Sequence, residues 1–200
     1  MEQKQQILTE AATLFMKFGF KSITMDDIAR ELGLSKKTLY LHFNDKNDLV
    51  DQCVVNHLNN MQSCCVQLTK QHNSAIDQII ELTKALLENM KQVNQSAIYD
   101  LKKYFKTSWD KLENHRNEFI YQQVKTNIQL GKTEGIYYKD IDVETITVLY
   151  IHLVQILTDP DKFPANFTYH HMHKELVKYH LRSICNEKGL AILNQKIKEI

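Results

Sequence analysis

Between Leu34 and Leu130 the chain contains neither glycine nor proline, and this unbroken run limits the possible folds more than any other feature. Glycine and proline are the strongest local interruptions of regular structure, and turns between strands depend on them. Only five glycines and two prolines occur in all 200 residues. Within the run, apolar residues recur at intervals of three and four, and period-2 alternation is absent. The sequence therefore predicts an all-α chain. An apolar fraction of 43% is ample for a buried core spread over one or two small domains.

The helices can be read off in order. Leu49, Val50, Cys53, Val54, His57, Leu58, Met61, Cys65 and Leu68 mark one face of a long helix over about 46–70, placed to connect two domains. Ile76, Ile79, Ile80, Thr83, Leu86, Leu87 and Met90 mark the next, with Ser74 as its expected cap. A short helix is expected over 96–104 and a long one over 108–134, stopped by Gly135. Asp142 should cap a helix over 143–157 that ends at Asp159-Pro160, with a loop running on to Thr168. The last substantial helix carries Met172, Leu176, Val177, His180, Leu181 and Ile184, and Gly189 is expected to separate it from a short terminal helix. The 143–157 helix is apolar on nearly every side, whereas packing on a single core needs only one stripe. A partner surface beyond its own domain follows, although complete burial in a monomer core would give the same pattern.

The segment 23–43, ITMDDIARELGLSKKTLYLHF, reads as two short helices joined by a tight turn. Ile28, Ala29, Leu32, Leu34 and Leu39 fall where crossing helices need apolar or small faces, and Gly33 falls where the turn needs positive φ. Thr24 can cap the first helix, with Asp27 completing a capping-box pattern, and Ser35 can cap the second. Lys36 and Lys37 then occupy the first turn of the second helix, the end at which a cation is disfavoured by the helix dipole. Two lysines at that end suit a polyanionic partner, and the arrangement reads as a helix-turn-helix whose second helix enters DNA.

Over 7–50 the chain resembles the N-terminal DNA-binding domain of the TetR/AcrR family of transcriptional regulators. The resemblance rests on Ala11-Ala12, Leu14-Phe15, Gly19-Phe20, Thr24, Asp27-Ile28-Ala29, Gly33, Ser35, Thr38-Leu39-Tyr40, Phe43, Lys46 and Leu49. It departs from the family at Leu34, where valine is commoner, and at Lys37, where many members carry a small residue. The resemblance implies a three-helix DNA-binding domain over 1–46, followed over 47–200 by a helical domain for effector binding and dimerisation. It also implies a homodimer built through the helices at 143–157 and 169–185, an inverted-repeat operator in double-stranded DNA, and release by a small apolar or aromatic effector. No cofactor, membrane association or enzymatic activity is expected.

Charge supports a focused interface more than a coat. Net charge is +1, and the first fifty residues hold seven Lys/Arg against seven Asp/Glu. Between Leu32 and Phe43, however, there are two lysines, one histidine and no acid. Lys36, Lys37 and Thr38 are the candidates for base edges, since lysine can donate to guanine O6 and N7 and the threonine methyl can meet thymine. Family position makes Tyr40, His42 and Lys46 candidates for phosphates, and Thr24 another through its hydroxyl. Thr24 reads equally as a cap, and Tyr40 as part of the small core. The effector candidates by position are Met61, Cys65, Leu86, Met90, Tyr99, Tyr104, Trp109, Phe119 and Tyr121, each of which also reads as plain core.

Other chemistries find less support. His170, His171, His173 and His180 lack the cysteine or carboxylate partners that would complete a metal shell, and solvation beside a loop is the expectation. Cys53, Cys64, Cys65 and Cys185 form no CxxC pair and suit reduced thiols in a cytoplasmic protein. Glu2, Lys4 and Glu10 leave no apolar signal-peptide core, and no stretch is long enough to span a membrane. A nucleophile elbow and a Gly-rich phosphate loop are both missing, which argues against an enzyme. An effector-independent architectural or adaptor protein is the alternative, and it would call for a more basic chain.

Overall fold

The computed structural model describes residues 2–91, 93–157 and 167–199. Those residues form α1 (Glu2–Phe18), α2 (Met25–Glu31), α3 (Lys36–His42), α4 (Lys46–Gln71), α5 (Ala75–Met90), α6 (Gln95–Tyr104), α7 (Lys106–His115), α8 (Tyr121–Thr133), α9 (Val143–Leu157), α10 (Tyr169–Ile184) and α11 (Glu187–Lys196). A π-helical turn, Arg116–Ile120, stands between α7 and α8. The helix expected as one piece over 108–134 is thus interrupted at its middle, where Arg116 is buried. Among the described residues the only strand-like pairing is a single bridge between Tyr137 and Cys185, so the fold is all-α. The expected stop at Asp159-Pro160 and most of the loop after it lie outside the described residues.

The chain forms two compact units. The first takes residues 1–61 and 92–115, so the boundary expected at 46/47 falls inside it; the second takes 62–91 and 116–200. In the first, α1 packs on α6, α6 on α7, and α2 on α3. Its core is Ile7, Ala11, Phe15, Phe20, Ile28, Leu39, Phe43 and Leu49, all essentially sealed from solvent. Phe15 and Phe20 stack with ring centroids 5.0 Å apart, and Phe105 closes on Phe20 at 5.9 Å. Burial of such side chains stabilises by about 1.5–3 kcal/mol each, which lets helices of seven residues persist that would be marginal alone.

In the second unit α8 packs on α5 and α9, and α10 on α5 and α9. Ile76, Ile80, Ile128, Tyr137, Val177, Leu181 and Leu193 form its core. Asn127 runs a buried polar network there, donating to the Ala75 carbonyl at 2.9 Å while its Oδ1 accepts from the Tyr137 hydroxyl at 3.3 Å. Ser74 occupies the position before α5 without a side-chain capping bond. The Glu134 carboxylate accepts the Ala75 N–H at 3.1 Å instead. Asp142 does cap α9, accepting from the Thr145 N–H at 3.1 Å.

Two details of α10 and α11 differ from expectation. Gly189 lies inside α11, and the break before it comes at Cys185-Asn186, where Asn186 accepts the Gly189 N–H at 3.0 Å. The glycine is there for close approach, since a Cβ on it would stand 2.1 Å from the Ile136 carbonyl oxygen. His173 and His180, expected in solvent, are 4% and 5% exposed and face the core beside Val177 and Leu181.

Candidate nucleic-acid interface

The first unit assembles the helix-turn-helix from local signals. Thr24 Oγ1 accepts the Asp27 N–H at 3.2 Å while Asp27 Oδ2 accepts the Thr24 N–H at 3.0 Å, a reciprocal capping box that starts α2. The bonds from Thr24 hold the Asp27 carboxyl below the usual carboxylate range. Gly33 takes φ 62° in the turn, a left-handed conformation that a side chain would resist. Ser35 Oγ accepts the Thr38 N–H at 3.0 Å and starts α3. Leu39 is the buried residue of α3, so the helix is anchored by that side and presents the opposite one.

On the presented side stand Lys37, Tyr40 and Leu41, spaced i, i+3 and i+4, with Tyr40 49% and Leu41 74% exposed. An exposed leucine beside an exposed lysine and tyrosine is a surface suited to thymine methyls and base edges in a major groove. Sequence reasoning passed over Leu41; the available signal was an apolar residue out of register with the Leu39 and Phe43 stripe. Tyr40 is outside the small core.

The remaining candidates carry contacts within the chain. Lys36 Nζ lies 2.5 Å from Asp26 Oδ2 in an exposed ion pair between α2 and α3. The Thr38 hydroxyl is 2.8 Å from that of Ser35, and the Thr24 hydroxyl donates to Asp27 Oδ2 at 2.6 Å. His42 Nε2 meets Gln3 Oε1 at 3.1 Å. Lys46 is half-buried: its ammonium donates to the Lys21 carbonyl at 3.1 Å and sits 5.7 Å from the centre of the Phe105 ring. Burial lowers its pKa, opposed by Asp100 and Asp27. Its geometry fixes the start of α4 against the α1–α2 turn.

The nine effector candidates divide between the two units. Met61, Tyr99, Tyr104 and Trp109 belong to the first unit, where Trp109 is buried in the core and Tyr99 and Tyr104 stand 41% and 42% exposed. Cys65, Leu86, Met90, Phe119 and Tyr121 belong to the second. Cys65 is buried, its thiol pushed up to about 11, and its Sγ donates to Gln123 Oε1 at 3.8 Å. The Tyr121 hydroxyl donates to the Glu144 carboxylate. Among the described residues no three His, Cys, Asp or Glu side chains converge as a metal site, and no helix is long and apolar enough to cross a membrane.

A capped helix-turn-helix with an exposed reading face, continued by a larger helical part, defines a helix-turn-helix DNA-binding regulator. Residues 7–53 match the family model for bacterial regulatory proteins of the tetR family. That match runs from α1 through the helix-turn-helix to the start of α4. The chain is 26% identical over 172 residues, 82% of this chain and 85% of the other, to the HTH-type negative transcriptional regulator of the biofilm operon icaADBC, IcaR, from Staphylococcus aureus (strain Newman). The fold is shared with a transcriptional regulator from Saccharomonospora viridis solved in complex with choline, with TM-score 0.73 and 20% identity over 93% of this chain and 99% of that one. It is shared also with a TetR-family regulator from Agrobacterium tumefaciens, with TM-score 0.72 and 16% identity over 92% and 98% of the two chains.

Proposed function

We propose that this regulator acts as a homodimeric repressor that leaves an inverted-repeat operator when a small apolar or aromatic effector binds its second unit. The observation that carries the reading is the exposed stripe of Lys37, Tyr40 and Leu41 on a helix anchored by Leu39. Two such helices about 34 Å apart meet successive major grooves on one side of DNA. Lys36, Lys37 and Thr38 address bases. Tyr40, His42 and Lys46 address phosphates, and Thr24 positions α2 against the backbone. An effector that binds better to a different spacing of the reading helices lowers operator affinity by that difference.

Dimerisation through α9 and α10 is supported by the apolar residues that α9 leaves uncovered. Val148, Leu149, Leu153 and Ile156 are 42%, 53%, 39% and 44% exposed, an apolar stripe at i, i+1, i+5 and i+8 in which exposed His152 is the polar member. A patch of this kind marks a protein contact. Leu149→Glu/Leu153→Glu is expected to shift the chain from dimer to monomer in light scattering coupled to size exclusion. A dimer that survives both charges removes α9 from the interface. Half-buried Leu86, Met90 and Phe119, with buried Cys65, support the effector reading in the second unit. Choline in the Saccharomonospora viridis relative makes organic cations a first set of compounds to screen by thermal shift.

The function is tested by fluorescence anisotropy on duplexes recovered by selection from a random pool. A preference of about 10³-fold or more over scrambled DNA at physiological salt is expected. Lys37→Ala should reduce that preference by about 1–3 kcal/mol, or roughly 5- to 150-fold, while weak binding to scrambled DNA persists. Equal affinity for selected and scrambled DNA would support the architectural alternative instead.

A further inference from the structure

We infer that the α1–α2 turn and the C-terminal half of α6 form a second phosphate-binding ledge, which grips duplex DNA outside the operator half-site. The inference rests on the DNA-binding reading of the helix-turn-helix and extends it to an element outside that motif.

Two stretches of this chain hold lysines without acids. Residues 11–25 and 101–109 together contain five lysines and no carboxylate, in a chain whose totals are 25 basic against 24 acidic residues. The fold places the two stretches against each other within the first unit. The Asn94 N–H donates to the Met16 carbonyl at 2.8 Å, and the Lys21 N–H donates to Asp100 Oδ2 at 2.8 Å. Asp100 is 8% exposed and turned inward to that backbone bond, while exposed Asp110, one turn beyond Lys106 on α7, bounds the cationic surface.

Tyrosines interleave the lysines on that surface. Lys21 Nζ donates to the Tyr104 hydroxyl at 3.1 Å, and Lys103 Nζ donates to the Tyr99 hydroxyl at 2.7 Å. Lys103 also lies 5.1 Å from the centre of the Tyr99 ring and 5.5 Å from that of Tyr104. Lys17 and Lys106 flank the group and are exposed. The tyrosines hold the Lys21 and Lys103 ammonium groups in place without neutralising them. The hydrogen bond from Lys21, together with the Lys103 charge, lowers the Tyr104 pKa, as a cationic surface should. Phosphate oxygens are acceptors that complete such ammonium and phenol donors.

The ledge is continuous with the helix-turn-helix. Lys46 bonds the Lys21 carbonyl and lies over Phe105, while Asp27 of the α2 capping box acts on the same ammonium. A duplex backbone lying along the start of α2 and α4 therefore comes next to Lys21 and Tyr104. An RNA or an acidic protein would not require this adjacency, and duplex DNA does.

The test uses the full chain and the selected operator in two lengths, one ending at the half-sites and one with about ten flanking base pairs on each side. Affinity is measured against KCl concentration for the wild type, for Lys21→Gln/Lys103→Gln, and for Lys70→Gln/Lys139→Gln, two exposed lysines of the second unit that give the same change in net charge. The wild type should bind the long duplex more tightly and with a steeper salt dependence than the short one. In Lys21→Gln/Lys103→Gln that gain should vanish, and the log–log salt slope should become shallower by about 0.9 for each phosphate no longer neutralised. Preference for operator over scrambled core should remain. Equal slopes and equal flank gains in the two double variants would overturn the ledge while leaving the helix-turn-helix reading intact. A selection that yields no preferred sequence for the wild type would overturn the DNA reading, and the ledge with it.

Discussion

Acidification from pH 7 to pH 4 is expected to strip several kcal/mol from the stability of this protein, chiefly through His173 and His180. Both are buried in the second unit, and burial lowers each pKa to about 4 from an ordinary value of 6.5. The imidazoles therefore stay neutral in the fold while the unfolded chain takes up protons below pH 6.5. Stability is fully present above that pH and is lost as pH falls through 6.5 toward 4. At 1.36 kcal/mol per pH unit, each histidine accounts for roughly 3 kcal/mol over that interval. The surroundings offer the charged forms no help. His180 packs on Tyr150 with ring centroids 4.4 Å apart, His173 stacks on Tyr169 at 5.5 Å, and the charge of His170 further disfavours the cationic form of His173. Thermal melts between pH 7.5 and 4 should show a steep fall in midpoint for the wild type. His180→Phe, which keeps a ring against Tyr150 without a titratable nitrogen, should flatten the acid limb. An unchanged limb would mean that the ring charges without penalty.

Gly189→Ala is expected to cost about 1–3 kcal/mol, as overpacking against atoms that cannot rotate away. The Ile136 carbonyl would lie 2.1 Å from the new Cβ and the Cys185 Cβ 3.1 Å from it, so either α11 or the 136–137 backbone must move. That backbone is itself committed: the Asn186 N–H donates to the Ile136 carbonyl at 3.0 Å, and Tyr138 donates to the Ile184 carbonyl at 3.0 Å. At about 2–4 °C per kcal/mol for a chain of this size, the midpoint should drop by several degrees at neutral pH. Gly33→Ala, where open space surrounds the missing Cβ and only φ 62° is at issue, gives the comparison. A Gly189→Ala midpoint equal to the wild type would show that the α11 packing is loose.

Much of the fold was legible because its signals are local. Thr24 with Asp27, Gly33 and Ser35 each specify a cap or a turn within four residues, and the observed α2, turn and α3 follow them. The spacing of Leu49, Val50, Cys53 and Val54 likewise fixed the buried side of α4. What escaped depended on partners distant in sequence. Ser74 lost its capping role to Glu134, which accepts the Ala75 N–H from fifty-nine residues away. The solvated reading of His173 and His180 failed because α5 and α9 cover one side of α10, which no local pattern announces. Gly189 carried the ordinary mark of a helix stop, yet its role is set by the Ile136 carbonyl.

The candidate site divides the same way. On α3, helical phase sets Leu39 inward and Lys37 outward, yet outward-facing Leu41 was passed over. Side chains whose atoms are occupied, such as Thr24 at Asp27 and Lys46 at Lys21, could not be distinguished from free ones by their place in the sequence.

The ion pair between Lys36 and Asp26 has a consequence for how the protein searches DNA. A lysine already matched by a carboxylate 2.5 Å away brings no fresh positive charge to a random stretch of duplex. Releasing it costs little, since exposed pairs contribute only about 0–1 kcal/mol. The exchange is worthwhile only where a base edge or a well-placed phosphate offers a better acceptor. Under the proposed DNA-reading role, Lys36 would act as a latch, closed during sliding and opened by the right sequence, and the near-neutral chain would move along DNA without being held by every site it passes.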